Sequence, residues 1–372
     1  MNVLFGPSGA GKSSLLDAIS FVRDGYLRDA EFALAKRGPG LGVLYDGAGL
    51  GEPIRIVLST DRVEYEVTLL ASLNGRIDPV PGERLRSLAR PGFSLERAIG
   101  TAQAFYFGGP ASQTQSVDLR EPKRLVIAHH PGSPHAFEED LFADVVLSGR
   151  LYHSRSMELA NLKQHGSPAG TEAHLMEQGE NLWSVLRTLD GRRLLDDRYT
   201  TIMKYMAEGF PTFKGLIAEA TAPTVVYAQF LEAGRRRPVY ASEISDGHIQ
   251  FLLLLTVLFC DPRGTAPLVM IDEPETLLHP WALAVLGNAI REAAEKWDRQ
   301  VILATHSPVL MSQFEPNELL AVESKEGRTQ ITRVSEMDDI QDLLQDYAAG
   351  SLYMSEAIAP QSKPPEVPNV GR

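Results

Sequence analysis

The stretch GPSGAGKSS, from Gly6 to Ser14, decides the fold of this chain. It matches the pattern G-x-x-x-x-G-K-[ST] at every fixed position, and it lies between the apolar run MNVLF and a segment of helical spacing, residues 15–22. A strand, a glycine-rich turn and a helix in this order point backbone N–H groups and the positive end of the helix at phosphate oxygens. The predicted phosphate-binding loop consists of Gly6, Pro7, Ser8, Gly9, Ala10, Gly11, Lys12, Ser13 and Ser14.

Two side chains of this loop carry its predicted chemistry. Lys12 would neutralise the β- and γ-phosphates of a nucleotide, and the Ser13 hydroxyl would ligate Mg²⁺. The alternative is a glycine- and serine-rich turn that matches the pattern by chance, but a strand and a helix flank it as the motif requires. We therefore expect a nucleoside triphosphate and Mg²⁺ as ligands.

Composition limits the function classes. The chain has 372 residues and a net charge of −12, which argues against a surface built for bulk nucleic-acid binding. The compact basic run Arg235 to Arg237 is interpreted as a solvated turn, with a phosphate or nucleic-acid contact as the alternative. The longest apolar run, residues 251–260, is shorter than the ~20 residues of a membrane helix. The single cysteine, Cys260, fits a reducing compartment, so we expect a cytoplasmic protein without a membrane segment.

The core strands are predicted from buried apolar runs. PLVMIDEPE (267–275) and QVILATHSP (300–308) are separated by an amphipathic helix at 281–297, which is typical of parallel strands buried on both faces. The strand before the loop, residues 3–5, must find its neighbours later in the chain, unless a preceding strand is missing from the sequence. These patterns predict an α/β fold.

The other segments give a coarser pattern. Residues 109–170 are the least legible, and their histidines at 129, 130 and 135 are interpreted as solvated loop residues more readily than as a metal site. Expected strands are a hairpin over 54–60 and 63–72, further strands at 102–108 and 224–233, and a terminal hairpin over 319–324 and 328–335. Expected helical stretches cover 137–153, 181–189, 196–210, 213–220 and 337–358.

Two carboxylates follow the first buried run. Asp272 and Glu273 would lie at the carboxyl end of a parallel strand, where open α/β sheets bind ligands. Asp272 would hold Mg²⁺ through its water shell beside Ser13, and Glu273 would act as the general base that orients the attacking water. The alternative is a pair of capping carboxylates before the turn at Pro274.

A histidine follows the second buried run. His306 would emerge at the same edge of the sheet as Asp272, where an imidazole can contact the γ-phosphate and respond to its presence. A lone histidine after a strand is usually structural. Here the succession of strand, helix and strand makes the two side chains neighbours, so His306 is a predicted catalytic residue.

The segment ISDGHIQ, residues 244–250, predicts a second phosphate-binding end. Ser245 and Gly247 precede a helix whose first backbone N–H groups are free to bind an anion. One nucleotide needs only one such loop and a metal. A second loop is best explained if it covers the nucleotide of a partner subunit, which predicts a two-fold homodimer with two ATP molecules between the subunits.

Together these motifs resemble the ABC-class ATPases of the SMC and RecF type, and in particular the short RecF-like AAA-family ATPases related to the OLD-family ATPase domain. The resemblance covers GPSGAGKSS (6–14), ISDGH (244–248), DEPETLLHP (272–280) and THSPVLM (305–311). It implies a P-loop NTPase fold: an ABC-type head with a mixed or parallel sheet core, an antiparallel β-layer and an inserted helical subdomain.

The resemblance also implies roles for residues. Ser245 and Gly247 would act on the nucleotide of the partner, residues 275–279 would form the D-loop at the dimer interface, and His306 would be the switch histidine. The family's Q-loop glutamine has three candidates here, Gln103, Gln113 and Gln115.

The implied domain division has four parts. Residues 1–108 form the first nucleotide-binding lobe with the β-layer, and residues 109–240 form an inserted, mostly helical subdomain. Residues 241–358 form the second lobe, which carries the signature, the Walker B strand, the D-loop and the switch histidine. Residues 359–372 are proline-rich and are expected to be a disordered tail.

The resulting functional prediction is a Mg²⁺-dependent ATPase that dimerises on ATP and signals to a partner protein or to DNA, in DNA repair or phage defence. Two alternatives stay open at this point. One is the nucleotide-binding subunit of an ABC transporter, and the other is a nucleotide-dependent scaffold that does not hydrolyse ATP.

Overall fold

The computed structural model describes residues 1–38, 51–71, 76–90, 92–108, 114–128, 146–172, 174–262, 268–325, 327–337 and 340–360. The chain divides into two compact units, one formed by Met1–Leu16 with Arg150–Arg372, and the other by Asp17–Gly149. The histidines at 129, 130 and 135 and most of the expected tail lie outside the described residues.

The described strands are β1 (Asn2–Phe5), β2 (Pro53–Ser59), β3 (Val63–Leu70), β4 (Gly82–Ser87), β5 (Ser94–Arg97), β6 (Gln103–Phe107), β7 (Thr114–Asp118), β8 (Arg150–His153), β9 (Ser167–Pro168), β10 (Phe213–Ala222), β11 (Val225–Glu232), β12 (Val239–Tyr240), β13 (Leu268–Asp272), β14 (Gln300–Thr305), β15 (Leu319–Lys325) and β16 (Arg328–Arg333). The described α-helices are α1 (Lys12–Leu27), α2 (Ala30–Lys36), α3 (Leu159–Gln164), α4 (Leu182–Gly191), α5 (Arg198–Gly209), α6 (Asp246–Phe259), α7 (Pro280–Lys296), α8 (Pro308–Met311), α9 (Gln341–Asp346) and α10 (Ala349–Met354).

A six-stranded mixed sheet is the core of the first unit. Its order is β16-β15-β1-β14-β13-β8, and β1 lies between β14 and β15 and parallel to both. The prediction that the first strand recruits its neighbours from later in the chain is therefore confirmed. β13 runs parallel to β14 and to β8, whereas β16 closes the other edge as the predicted antiparallel hairpin with β15.

Apolar burial explains this core. All five residues of β13 are buried, as expected of a parallel strand covered on both faces. Every residue of α6 from Ile249 to Phe259 is buried as well, and α6 packs against α5 and α7. An apolar segment of this length is stable in water only when other elements surround it. The predicted central helix at 281–297 is α7, with its apolar face toward the core.

Two helical predictions were wrong. Residues 213–220 belong to β10, which pairs antiparallel with β11 across the whole of its length. Within the predicted helix over 137–153, residues 150–153 form β8 at the edge of the main sheet. In both segments the apolar spacing is compatible with a short helix or a strand, and an available partner strand decided between them. The basic run Arg235 to Arg237 is exposed in the turn between β11 and β12.

The second unit contains a six-stranded antiparallel sheet in sequential order from β2 to β7. The predicted hairpin is confirmed as β2 and β3, and the layer extends beyond the expected residue 108 to include β7. Buried and half-buried residues alternate along β3, so one face of the strand is buried and the other is half-buried. A buried ion pair between Arg97 and Glu83, with nitrogen and oxygen 2.9 Å apart, crosses β4 and β5.

The boundaries of these two compact units differ from the boundaries of the four-part division predicted from the motifs. The reason is strand pairing, because β7 continues the antiparallel sheet past residue 108 and β8 returns the chain to the main sheet at residue 150. The four-part division stays a prediction about function. None of the helices in the described ranges combines the length and the apolar character that crossing a membrane requires.

Candidate nucleotide-binding site

The loop between β1 and α1 has the backbone conformation that its glycines predict. Gly6, Gly9 and Gly11 have φ values of 149°, 80° and 101°, in the region that side chains rarely adopt. Packing adds a second constraint. A Cβ atom on Gly6 would lie 2.0 Å from the Val322 carbonyl oxygen, and one on Gly11 would lie 2.2 Å from Thr329 Oγ1. The loop therefore rests closely on the hairpin of β15 and β16.

Lys12 folds back over this loop. Its side chain is 5% exposed, and Nζ donates hydrogen bonds to the carbonyl oxygens of Gly6 at 2.8 Å and Pro7 at 2.9 Å. Nζ also lies 3.4 Å from His306 Nδ1. Burial lowers the pKa of Lys12 to about 8, although the nearby carboxylates, with Asp272 the strongest, oppose this shift. The hydrogen bonds of Nζ are to neutral groups, so an incoming anion can replace them.

Asp272 ends β13 beside this lysine. Its Oδ2 lies 3.1 Å from His153 Nδ1, whereas its buried Oδ1 has no hydrogen-bond partner among the described residues. Burial alone would raise the pKa of Asp272, but hydrogen bonds from His153 and Ser13 and the charge of Lys12 outweigh burial, so the pKa lies below its ordinary value. An ionised carboxylate with an unpartnered oxygen next to a serine hydroxyl fits Mg²⁺, which prefers hard oxygen ligands.

Glu273 follows in a left-handed backbone conformation, with φ of 52°. Its backbone N–H donates a 2.8 Å hydrogen bond to the Ala304 carbonyl oxygen. Its carboxylate forms an ion pair with Arg155, and Oε1 lies 4.0 Å from His306 Nε2. A non-glycine residue in this region is held there by its surroundings, a feature that is concentrated at functional sites.

Glu275 fixes the turn that carries His306. Its Oε2 accepts a 2.8 Å hydrogen bond from the Thr305 hydroxyl, and its Oε1 accepts a 2.6 Å hydrogen bond from the His306 backbone N–H. The resemblance assigned Glu275 to the D-loop at a dimer interface. In the structure its carboxylate contacts the end of β14 in its own chain, a role that the sequence did not indicate.

His306 lies between Lys12 and Glu273. Burial and the charge of Lys12 lower the pKa of His306, against opposing effects of Glu275 and Glu273. The imidazole is therefore neutral near pH 7, and each ring nitrogen can donate or accept according to the tautomer.

The predicted catalytic residues share one cavity. Glu273 and His306 line a depression of about 440 Å³ at the carboxyl edge of the main sheet. Its lining residues are Ser8, Arg155, Glu273, Glu275, Thr276, His306 and Tyr353. Among these, Tyr353 comes from α10 and stands edge-on to Phe5, with 5.6 Å between ring centroids.

Ser245 and Gly247 lie at the start of α6, where their contacts are with neighbouring turns. Ser245 caps the helix, and its Oγ lies 2.6 Å from His248 Nδ1. A Cβ atom on Gly247 would lie 2.7 Å from the Leu277 carbonyl oxygen. The signature segment is therefore packed against the turn after Glu275, and Leu277 in that turn is 55% exposed with φ of 67°.

Sequence reasoning missed His153 and Arg155. His153 is the last residue of β8 and pairs in register with Asp272, and Arg155 lies two positions after it. The available signal was weak: a short run, RLYH, with polar residues after it. Of the three glutamine candidates, Gln103 and Gln115 lie on β6 and β7 in the second unit, and Gln113 lies outside the described residues. Within the described ranges, no group of three or more His, Cys, Asp and Glu side chains is arranged to hold a metal ion.

Comparisons with known proteins give a family for this chain and a partly similar relative. A family model described as "AAA domain, putative AbiEii toxin, Type IV TA system" matches residues 1–312. Protein ea59 of Escherichia phage lambda is 35% identical over 74 residues, which is 20% of this chain and 14% of the length of that relative.

Among solved structures, the chain is similar to an Smc head bound to the C-winged helix domain of ScpA. That comparison has a TM-score of 0.50 at 14% identity, over 89% of each chain, and it shows a shared fold. An Smc head with an extended coiled coil, bound to the C-terminal domain of ScpA derived from Pyrococcus furiosus, gives a TM-score of 0.49 at 13% identity over 92% of this chain and 93% of that chain. The family match covers most of the chain, so the chain belongs to the AAA-domain family of that description, and its fold is that of an Smc head.

Proposed function

We propose that this protein is a Mg²⁺-dependent ATPase that hydrolyses ATP to ADP and phosphate. The observation that carries the proposal is the convergence of three side chains from distant parts of the chain. Lys12 Nζ lies 3.4 Å from His306 Nδ1, and the charge of Lys12 acts on Asp272, which also has a hydrogen bond from Ser13. A phosphate-binding loop with a lysine and an ionised carboxylate beside it are groups that P-loop enzymes use for phosphoryl transfer, and the imidazole of His306 lies at the same sheet edge.

The protein groups have separate tasks in this reaction. Lys12 exchanges the carbonyl oxygens of Gly6 and Pro7 for phosphate oxygens and neutralises their charge. Glu273 orients a water molecule and accepts its proton as the water oxygen bonds to the γ-phosphorus and the bond to the β,γ-bridging oxygen breaks. His306 donates a hydrogen bond to the γ-phosphate. Ser13 and Asp272 would hold Mg²⁺, which would supply charge neutralisation to the phosphate oxygens.

We further propose that two copies associate around two ATP molecules. Ser245 and Gly247 lie at the N-terminus of a 14-residue helix, which can receive the phosphates of a partner's nucleotide. The turn packed against Gly247 carries Leu277, which is 55% exposed, and the helix after that turn begins with Trp281, which is 61% exposed. Exposed apolar residues beside a polar anion-binding turn are typical of a surface that is covered on association.

Dimer formation and separation would transmit the nucleotide state to a partner protein or to DNA. We place this activity in the cytoplasm, which is compatible with a buried, free Cys260. If DNA is the partner, adding duplex DNA should increase ATP turnover, and the increase should fall steeply with salt concentration.

The test is size-exclusion chromatography of Glu273→Gln with and without ATP and Mg²⁺, together with phosphate release from the unaltered protein. We expect the variant to bind ATP, to elute as a dimer only with ATP, and to turn over at least about 100-fold more slowly because the water loses its base. Glu295→Gln, an exposed glutamate on α7, is the control and should behave like the unaltered protein. A monomer under both conditions would reject the dimer, and absence of phosphate release by the unaltered protein would reject the ATPase.

A further inference from the structure

Arg155 stands beside the proposed general base. It lies in the 3₁₀ turn Ser154–Ser156 that follows β8, its side chain is 75% exposed, and its guanidinium forms an ion pair with Glu273. An exposed ion pair of this kind usually contributes little to stability. Its position is more informative than its strength, because the carboxylate it engages is the one that must orient water.

Arg155 also lines the cavity in which the proposed nucleotide would bind. Arg155, Ser8 of the phosphate loop and His306 line the same depression. Among the described residues in that lining, Arg155 carries the permanent positive charge, whereas Lys12 is buried beneath the loop. A guanidinium is a planar fork that binds phosphate oxygens with two parallel hydrogen bonds, and a γ-phosphate carries more negative charge than one carboxylate.

Of the two partners, Arg155 is the one able to move. The Glu273 backbone N–H is hydrogen-bonded to the Ala304 carbonyl oxygen, and the Glu273 side chain is only 20% exposed. Arg155 has a long side chain with few neighbours at 75% exposure. When a triphosphate enters, exchange of partners therefore requires a rotamer change of Arg155 and leaves the Glu273 backbone in place.

We propose that Arg155 is a ligand of the γ-phosphate within the same chain, and that its ion pair with Glu273 is the nucleotide-free state of a switch. Binding of a triphosphate draws Arg155 from Glu273 to the γ-phosphate. The carboxylate is thereby released to orient water only when a γ-phosphate is present. The inference rests on the proposed function, because it assigns a further residue to that site.

The test compares the dissociation constants of adenylyl imidodiphosphate and ADP, each with Mg²⁺, by isothermal titration calorimetry. Arg155→Ala should weaken binding of the triphosphate analogue about 10-fold or more and change ADP binding by less than about 2-fold, as expected for loss of one charge-assisted contact to the terminal phosphate. Arg155→Lys, which keeps the charge but not the fork, should give an intermediate loss. Arg193→Ala removes another exposed arginine paired with a carboxylate, Asp190, and should change neither constant.

A double-mutant cycle tests the exchange itself. In Glu273→Gln the carboxylate no longer competes for Arg155, so the triphosphate analogue should bind more tightly than in the unaltered protein, and this gain should disappear when Arg155→Ala is added. Thermal unfolding followed by circular dichroism identifies any variant that fails to fold. If Arg155→Ala fails to fold, the nucleotide affinities of Arg155→Lys test the inference instead.

An unchanged ratio of the two dissociation constants in folded Arg155 variants would overturn the inference and leave the ATPase proposal standing. Failure of the unaltered protein to bind either nucleotide would instead reject the proposed function itself.

Discussion

The Thr329 hydroxyl donates a 2.8 Å hydrogen bond to the carbonyl oxygen of Ala10, a residue 319 positions earlier in the chain. The same hydroxyl oxygen lies 2.2 Å from the position that a Cβ atom on Gly11 would take. The hairpin of β15 and β16 therefore packs against the phosphate loop and supports it from one side. A loop that must present several N–H groups to an anion needs its carbonyl groups held in the opposite direction, and Thr329 holds one of them.

We expect Thr329→Val to lower the free energy of unfolding by about 0.5–1.5 kcal/mol, the range for one lost hydrogen bond, and to weaken ATP binding as well. Chemical denaturation and calorimetric titration measure the two effects. Thr332→Val, on the same strand, is the matched control. Equal ATP affinity in the two variants would show that the hairpin does not shape the loop.

The lowered pKa of Lys12 gives a pH dependence of stability. Its pKa is about 8 in the folded chain and 10.5 in the unfolded chain, so between these values the unfolded chain binds more protons. The free energy of unfolding should therefore rise with pH across this window, by up to about 3 kcal/mol from this residue. Below pH 8 the folded chain buries a charged lysine, and the protein is correspondingly less stable.

Denaturation between pH 7.5 and 10.5 measures this effect as the difference between the unaltered protein and Lys12→Met, which has no group to titrate. Bound triphosphate should raise the pKa again, so nucleotide binding at pH 9 should take up a proton, detectable as a dependence of the calorimetric enthalpy on the buffer. If the free energies of unfolding of the two proteins changed with pH in the same way, the prediction would be contradicted.

Glu275 accepts hydrogen bonds from the Thr305 hydroxyl and the His306 N–H, and we call this pair of bonds the Glu275 clamp. The clamp should affect both the free energy of unfolding and the rate of ATP hydrolysis. Glu275→Ala removes the acceptor of the buried Thr305 hydroxyl and of the His306 N–H, and we expect a loss of about 1.5–3 kcal/mol in unfolding free energy with slower phosphate release. Glu275→Gln keeps one oxygen acceptor and should lose less. If Glu275→Ala matches Glu295→Ala in both measurements, the clamp has no role.

The contact between Gly247 and Leu277 predicts a steric effect. Gly247→Ala would place a methyl group 2.7 Å from the Leu277 carbonyl oxygen, and backbone atoms would have to shift. We expect a loss of about 1–3 kcal/mol and a weaker ATP-dependent dimer, measured by thermal unfolding and size-exclusion chromatography. Gly191→Ala, in a helix with open space around it, is the control. A stable Gly247→Ala protein that dimerises normally would argue against this packing.

Parts of the candidate site could be located from the sequence because parallel strands of an open sheet end at one edge. The buried runs ending in Asp272 and Glu273 and in His306 had to deliver these side chains to the edge where the loop around Lys12 begins. Their chemical roles stay predictions. His153 and Arg155 could not be found in this way, because β8 has only four residues and its pairing with β13 joins segments that no local pattern connects.

The sequence by itself determined the phosphate loop, the two buried strands and the central helix, since glycine conformations, continuous apolar runs and helical spacing are local properties of the chain. The tertiary structure decided what lies against those elements: the hairpin beneath the loop, the clamp from Glu275, and the strand that brings Arg155 to Glu273. These relationships depend on which strand pairs with which, and pairing between residues more than a hundred positions apart is set by the packing of the whole core.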